Sequence, residues 1–422
     1  MKTNWASILS LSSVLLWAAS APAQQDDIYL ELKTPGIVKL NFSFLVLPDR
    51  PLWNQTLRED LLASEAFTLI ETGVPPAGDP LKYFEALKKA GVDFYLSTSV
   101  EPVGTALVLR HSLYEVKSKK VILSKSYRGG PEALPSMAHT LADELVLYLT
   151  GKKGLSLTKI AFVSDRAGAK EIWVMDADGG AQQPLTVHKS ISFSPAWSPD
   201  GKTLYYASYL YGQPSLLALE WLEGRVRRLV PAKLKTATAP AASPDGASLA
   251  FAGAGPEGNT DIYRLDLASG ETERLTFARG IDTDPSYAPM GNAIVFTSDR
   301  IGAPHVFLMD PRGLDAHRLS EEGGYNAEPR LSPDGKLLVY CAKEGNKFQI
   351  YLQDLLGGGR VRLTNAGGNE SPSFSPNGRR VLFASDRSGK FQIYTMDLNG
   401  GQVKQLTSEG SNSQPAWSPY LK

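Results

Sequence analysis

Pro195-Ala196-Trp197-Ser198-Pro199-Asp200-Gly201 decides the fold, because it returns. Copies run from Pro240 to Gly246, Pro285 to Gly291, Pro329 to Gly335 and Pro372 to Gly378, and a last one from Pro415 to Tyr420. The leading prolines are 43 to 45 residues apart, within the roughly 40–50 residues of a four-stranded propeller blade. Nine residues after each block begins, an apolar strand starts, at Leu204, Leu249, Ile294, Leu338 and Val381, and Ile160 opens a sixth copy with no block before it. Further on, each unit carries a strand ending in an acid (Asp176, Glu220, Asp266, Asp310, Asp354, Asp397) and, nine residues later, a leucine (Leu185, Leu229, Leu275, Leu319, Leu363, Leu406). Spacing inside the unit is nearly constant, as paired strands require, while the gap from leucine to next proline varies, as a loop allows.

The phase of the repeat predicts how the ring closes. The first unit lacks its Pro-block, and the last block lacks everything after it. Joined, the two make one blade, so a six-bladed β-propeller closed by the C-terminal segment is expected, with its sheet edges protected. The Asp-Gly steps and the Gly-rich stretches after the acids supply the tight turns. They account for 38 Gly and 28 Pro in 422 residues.

Charge and cysteine count exclude other classes. Lys plus Arg total 44 and Asp plus Glu total 44, whereas binding nucleic acid by electrostatics needs a basic surplus. A single Cys rules out an internal disulfide framework and a Cys-based zinc site. The composition, 42% hydrophobic, is that of a folded chain.

Residues 1–23 read as a secretory signal peptide: Lys2, an apolar run from Ile8 to Ala19, then Ala21-Pro22-Ala23 before Gln24. No later run approaches the ~20 apolar residues of a membrane span. Residues 24–155 alternate strand and helix signals. Strands are expected at Leu40 to Leu47, Phe67 to Glu71, Phe94 to Val100, Ala106 to Tyr114 and Val121 to Tyr127. Helices are expected from an Asn54 cap to Ala63, from Asp79-Pro80 to Lys89, and from Pro135 to Thr150 before Gly151. The expected organisation is a small α/β domain over 24–155 and an all-β propeller over 156–422.

Catalytic signatures are missing. His111, His139, His188, His305 and His317 show no metal-ligand spacing, and there is no nucleophile elbow, phosphate loop or calcium hand. His139 reads as a packing or surface residue of its helix, and Cys341 as a small core residue. Ser-Asp-Arg at 164–166, 298–300 and 385–387 recurs in equivalent blades. It therefore reads as turn capping and local ion pairing, and the strand-end acids are read in the same way.

The loops before the Pro-blocks converge on one channel mouth: Lys189 to Ser194, Lys235 to Ala239, Gly280 to Asp284, Tyr325 to Glu328, Gly368 to Ser371, and Ser411 to Gln414. Such a concave, polar, multi-loop face suits partner docking. Acids gather there at Asp282, Asp284, Glu328 and Glu370, with Lys233 and Lys235 near the preceding mouth. Asp284, Glu328 and Glu370 are the candidate ligands of a Ca²⁺ ion; no cofactor is otherwise required. The candidate partner-binding residues of this face are Thr236, Thr238, Asp282, Thr283, Asp284, Asn326, Glu328, Asn369, Glu370 and Asn412.

Gly91-Val92-Asp93, Ala138-His139-Thr140 with Asp143-Glu144, Leu149-Thr150-Gly151 with Lys153-Gly154, and the ending Pro415 to Leu421 resemble the TolB family, the periplasmic component of the Tol-Pal system. The resemblance covers essentially the whole chain after the leader. It implies a non-enzymatic periplasmic scaffold that docks the peptidoglycan-associated lipoprotein Pal on the channel face, where Thr236 and Thr283 fall at family contacts. It also implies that the strand from Gln24 to about Thr34, with Gln24, Asp27, Tyr29 and Glu31, contacts the C-terminal domain of TolA. Other outer-membrane proteins are further expected partners, and the implied role is outer-membrane integrity and constriction at division. The competing expectation is a peptidase-like or accessory periplasmic propeller with hydrolase or lyase activity.

Overall fold

The computed structural model describes residues 39–72, 80–229 and 234–421. The expected signal peptide, the N-terminal strand with Gln24, Asp27, Tyr29 and Glu31, the Asp79 cap and Lys233 lie outside the described residues.

The first region is a five-stranded mixed sheet with helices. In chain order it runs β1 (Leu40–Phe44), α1 (Pro51–Ala63), β2 (Phe67–Leu69), α2 (Pro80–Lys89), β3 (Phe94–Val103), β4 (Ala106–Glu115), β5 (Lys120–Gly129) and α3 (Leu134–Thr150). The sheet order is β2-β1-β3-β4-β5, with β1 parallel to both neighbours and the rest antiparallel. Helix α1 starts earlier than expected. Pro51 takes the first helical position and no side chain caps the end. Asn54 instead clamps the incoming loop, accepting from the Leu47 amide at 2.9 Å and donating to the Leu47 carbonyl at 2.7 Å. Helix α3 ends as expected, at Gly151 with φ 69° and its amide on the Leu147 carbonyl. The larger core joins the sheet to two helices: Phe42 and Phe67 from the sheet, Trp53, Leu57 and Leu61 from α1, and Leu141 and Leu145 from α3, while Leu87 of α2 packs with Val92, Tyr95 and Val116 in a second cluster. Each such fully buried side chain contributes ~1.5–3 kcal/mol.

The rest is six four-stranded antiparallel sheets. The innermost strands of blades 2 to 6 are Ser192–Trp197, Thr236–Ala242, Asp282–Tyr287, Asn326–Leu331 and Asn369–Phe374. Blade 1 takes its innermost strand from the end of the chain: Asn412–Trp417 pairs antiparallel with Lys159–Ala167, Asn412 opposite Ser164 and Trp417 opposite Ile160. The closure expected from the repeat phase is therefore observed. The Trp417 indole donates to Thr158 Oγ1 at 2.8 Å, and Lys159 and Ser418 exchange two hydrogen bonds at the same seam.

The repeat residues have local jobs. In the Ser-Pro-Asp-Gly turn, Ser198 donates to Asp200 at 2.6 Å and receives the Thr203 amide at 2.9 Å, while Gly201 adopts φ 71°. The leucine after each acid donates its amide to the third strand. Its hydroxyl neighbour accepts one back, as Ile172 N to Thr186, Ile262 N to Thr276, Ile350 N to Thr364 and Ile393 N to Thr407, each at 2.9 Å. In five blades, all but the second, where Val230 follows the leucine, the narrow outer strand is thus tied on by a side chain as well as by the ladder.

Both regions fall in one compact unit. They meet where Glu59 on α1 pairs with Lys404 of blade 6, and where His139 on α3 approaches blade 1. This is the Ser-Pro-Asp-Gly end of the blades. The loops before the Pro-blocks lie at the opposite end of the inner strands. Among the described residues no helix is long and apolar enough to cross a membrane.

Candidate functional site

Every inner strand is broken by a register shift at its Pro-block. The residue before the leading proline takes a positive φ in all six blades: Ser194, Ala239, Asp284, Glu328, Ser371 and Gln414, with φ between 49° and 56°. Non-glycine residues rarely adopt this conformation, and a bulge re-aims the side chain at that point. All six line the central channel, a cavity of about 520 Å³. The ring is the feature that sequence reading missed in part: Ser194, Ala239, Ser371 and Gln414 belong to it as fully as the two acids. Their common position, immediately before each leading proline, was the available signal.

The ring is unevenly charged. Asp284 and Glu328 stand on adjacent blades. Burial, reinforced by the Glu328 charge and opposed by Arg330, pushes the Asp284 carboxyl up to about 7. Glu328 is held by its neighbours: the Ser371 amide donates to Oε2 at 2.6 Å and the Cys341 thiol approaches the same oxygen at 2.9 Å. Burial first, then the nearby Glu328 charge, pushes the Cys341 thiol up and keeps it an inert core group. Glu370 is also raised, by burial and then by Glu328 and Asp386. On the opposite side the ring is neutral, and Gln414 Oε1 accepts the Ser194 amide at 2.9 Å.

The expected partner-binding residues divide into two groups. Asp282, Asn326, Asn369 and Asn412 open their inner strands and are buried. Asp282 pairs with Arg300 at 3.0 Å, Asn369 accepts from Arg387 at 2.9 Å, Asn412 accepts from Arg166 at 3.2 Å, and Asn326 donates to the Glu322 carbonyl at 2.9 Å. These arginines are those of Ser-Asp-Arg. Each also donates Nε to its motif serine and lies over an aromatic ring, as Arg166 does 4.5 Å from Trp173. The motif aspartates accept loop amides, Asp165 from Ser411, Asp299 from Ile281 and Asp386 from Gly368, at 2.6–2.7 Å. The motif therefore fastens three of the six mouth loops to their own blades. Thr236, Thr238, Thr283, Asp284, Glu328 and Glu370 are half-buried at the mouth, and Asp284 and Glu328 reach the channel itself.

A Ca²⁺ ion takes six to eight oxygens in one shell. Asp284, Glu328 and Glu370 do not form a group of three with all ligand atoms within 4.8 Å of one another; among the described residues that property belongs to His139, Asp176 and Asp178. The geometry of the channel acids lends the calcium expectation no support.

That second cluster sits at the other end of the propeller. His139 Nδ1 is 2.6 Å from Asp60 Oδ2, and Nε2 is 3.7 Å from Asp176 and 3.9 Å from Asp178. Burial would lower the His139 pKa, but the Asp60 hydrogen bond and the charges of Asp60, Asp178 and Asp176 raise it. Burial pushes the Asp60 carboxyl up to about 6 despite the imidazole beside it. His139 is thus an inter-domain contact, more than the helix packing residue expected from its isolation in the sequence.

Comparison with known proteins bears on this geometry. Residues 147–421 match the PD40 family, described as the TolB beta propeller domain. A TolB homolog of Chlorobium luteolum is 35% identical over 271 residues, 61% of this chain and 60% of the relative. The Tol-Pal system protein TolB of Anaeromyxobacter dehalogenans is 34% identical over 244 residues, 55% of this chain and 54% of the relative. These matches span little more than half the length of the curated relatives. The crystal structure of TolB from Acinetobacter baumannii superposes with a TM-score of 0.78 at 26% identity, covering 90% of this chain and 97% of that one.

Proposed function

From a chain that belongs to the TolB β-propeller family, we propose a periplasmic, non-enzymatic scaffold of the Tol-Pal system that docks a Pal-like lipoprotein on the channel mouth. The observation that carries this reading is the ring of six bulged residues. Three of the six loops are fastened to their blades by Ser-Asp-Arg, backbone and side-chain groups from all six converge on one concave face, and the acids lie on one side of it. A pre-organised face of this kind loses little freedom on binding, and its one-sided charge selects the partner's orientation. At the mouth the Cys341 thiol lies against Glu328, but burial and that charge push its pKa up, the reverse of an activated nucleophile.

The N-terminal strand, Gln24 to about Thr34, is assigned the contact with a TolA C-terminal domain, by addition of a strand to a sheet edge. Together the two contacts couple an outer-membrane lipoprotein to an inner-membrane partner, which suits a role in envelope integrity and constriction at division.

Capture of a Pal-like lipoprotein by the exported chain is the direct test. Asp284→Lys should weaken capture at least tenfold while leaving the melting temperature near that of the parent, because the side chain lines the channel rather than the core. Undiminished capture by that variant would move the docking face elsewhere. Removal of residues 24–34 should abolish capture of a TolA C-terminal domain and leave lipoprotein capture intact.

A further inference from the structure

The inter-domain cluster breaks the repeat in a way that points to a ligand. In four sister blades the strand-end acid caps its own turn. Asp266 accepts the amides of Ala268 and Ser269, Asp310 those of Arg312 and Leu314, Asp354 that of Leu356, and Asp397 those of Asn399 and Gly401. In blade 1 the capping task has passed to Asp178, whose Oδ1 accepts the Gly180 amide at 2.8 Å. Asp176 is released from the turn. Its Oδ1 takes the Lys159 ammonium and its Oδ2 turns to His139.

We propose that His139 Nε2, Asp176 Oδ2 and Asp178 Oδ2 form a binding site for one divalent transition-metal ion, clamped between the α/β domain and blade 1. The three donor atoms lie within 4.8 Å of one another. The separations from Nε2, 3.7 and 3.9 Å, are too long for hydrogen bonds. They lie a few tenths of an ångström above the ~3.3 Å edge of a tetrahedron with metal bonds of 2.0–2.1 Å. Asp60, holding Nδ1 at 2.6 Å, supplies the carboxylate behind the imidazole that fixes ring and tautomer in histidine-ligated sites. Charge argues the same way. Asp60, Asp143, Asp176 and Asp178 bring four negative charges and Lys159 one positive charge to a largely buried place. A dication on a neutral imidazole offsets two of the three excess negative charges, and its binding displaces any Nε2 proton.

There is also a way in. Asp178 and Asp60 form part of the wall of a cavity of about 360 Å³ between the regions, lined further by Glu59, Ser156, Lys404 and Trp417. Water in that cavity can fill a fourth coordination position. Nitrogen and carboxylate donors without sulfur suit Zn²⁺ and its neighbours in the first transition row.

Zinc titration of the chelator-stripped full chain, followed by calorimetry and thermal melting, tests the site. The parent chain should bind one equivalent of Zn²⁺ and melt higher with it. Co²⁺ in the same place should show the visible absorption of a four-coordinate ion. Asp178→Asn keeps an acceptor for the Gly180 amide but removes the charged ligand, and should weaken Zn²⁺ binding at least tenfold. Asp397→Asn, the corresponding strand-end acid of blade 6, should leave binding unchanged. The proposal is overturned if the folded parent takes up no stoichiometric Zn²⁺, or if Asp178→Asn binds it as tightly as the parent.

Discussion

The α/β domain and the propeller stabilise themselves by opposite means. The domain relies on two unrepeated clusters, one centred on Trp53, Leu57 and Phe42 and one on Leu87, Val92 and Tyr95, in which every residue occurs once. The propeller spreads its stability over repeated devices: a turn serine, a leucine with its hydroxyl neighbour, and an arginine staple. In the domain, a single substitution meets no redundancy. In the propeller it removes one of several copies, and the cost depends on what that copy has been made to carry.

Trp53→Ala is the harshest way to test this difference. Trp53 is fully buried and stacked 5.2 Å from His111, so its truncation should cost about 3–5 kcal/mol. Urea denaturation should show the loss in the α/β domain first, with hydrogen exchange in the blades little changed. Within the propeller, Arg300→Ala should cost about 3 kcal/mol, because it strands the carboxylate of Asp282, which is 1% exposed. Arg387→Ala, in the same motif, should cost only about 1–2 kcal/mol, because its partner is the neutral amide of Asn369. Equal losses would show that the staple works by packing on its aromatic ring rather than by charge.

Acid should separate the two regions by sign. His111 is buried against Trp53 and accepts or donates to Thr98 at 3.0 Å. Burial lowers its pKa from 6.5 to about 4. The unfolded chain therefore takes up the proton first, and the domain loses stability as pH falls from 6.5 towards 4, by up to about 3 kcal/mol. Asp284 behaves inversely. Its folded pKa near 7 lies above the unfolded 3.8, so the channel is relieved of strain as pH falls across that window. Peptide-resolved hydrogen exchange should show protection lower around His111 and higher around Asp284 at pH 5 than at pH 7.5. The smallest effect is expected at the junction. The Lys404–Glu59 pair is partly exposed, with side-chain exposures of 42% and 33%, so Lys404→Ala should change stability by less than about 1 kcal/mol.

The same contrast explains what could be read before the structure. Blade number, closure and strand phase were legible because a repeat shows each signal several times, and the variable gap from leucine to proline marked the loops. The helix and strand order of the α/β domain was also legible, but its edges were not. Pro51 outbid Asn54 for the helix start because a proline needs no amide there, and the asparagine was left to hold the loop. At the mouth, acids stood out by charge, whereas Ser194, Ala239, Ser371 and Gln414 share only a backbone conformation that no side-chain type announces. Asp282 and Asn369 looked like docking residues because they are polar and on loops; the arginines that absorb them sit 18 residues away. Asp176 was hidden by its likeness to five sister acids, since its distinct partner is a histidine from another domain.

The closing strand has a consequence in time. Blade 1 borrows Asn412–Trp417 from the far end of the chain, a contact spanning some 250 positions that gives the fold a slow, non-local last step. As the polypeptide emerges N-terminus first, the α/β domain can assemble at once. The second strand of blade 1 then waits, with its edge unpaired, until nearly the whole sequence has been delivered. During that interval the exposed Lys159–Ala167 edge is the place where a stray strand could bind. Loss of Asn412–Trp417 alone would leave an open arc instead of a ring.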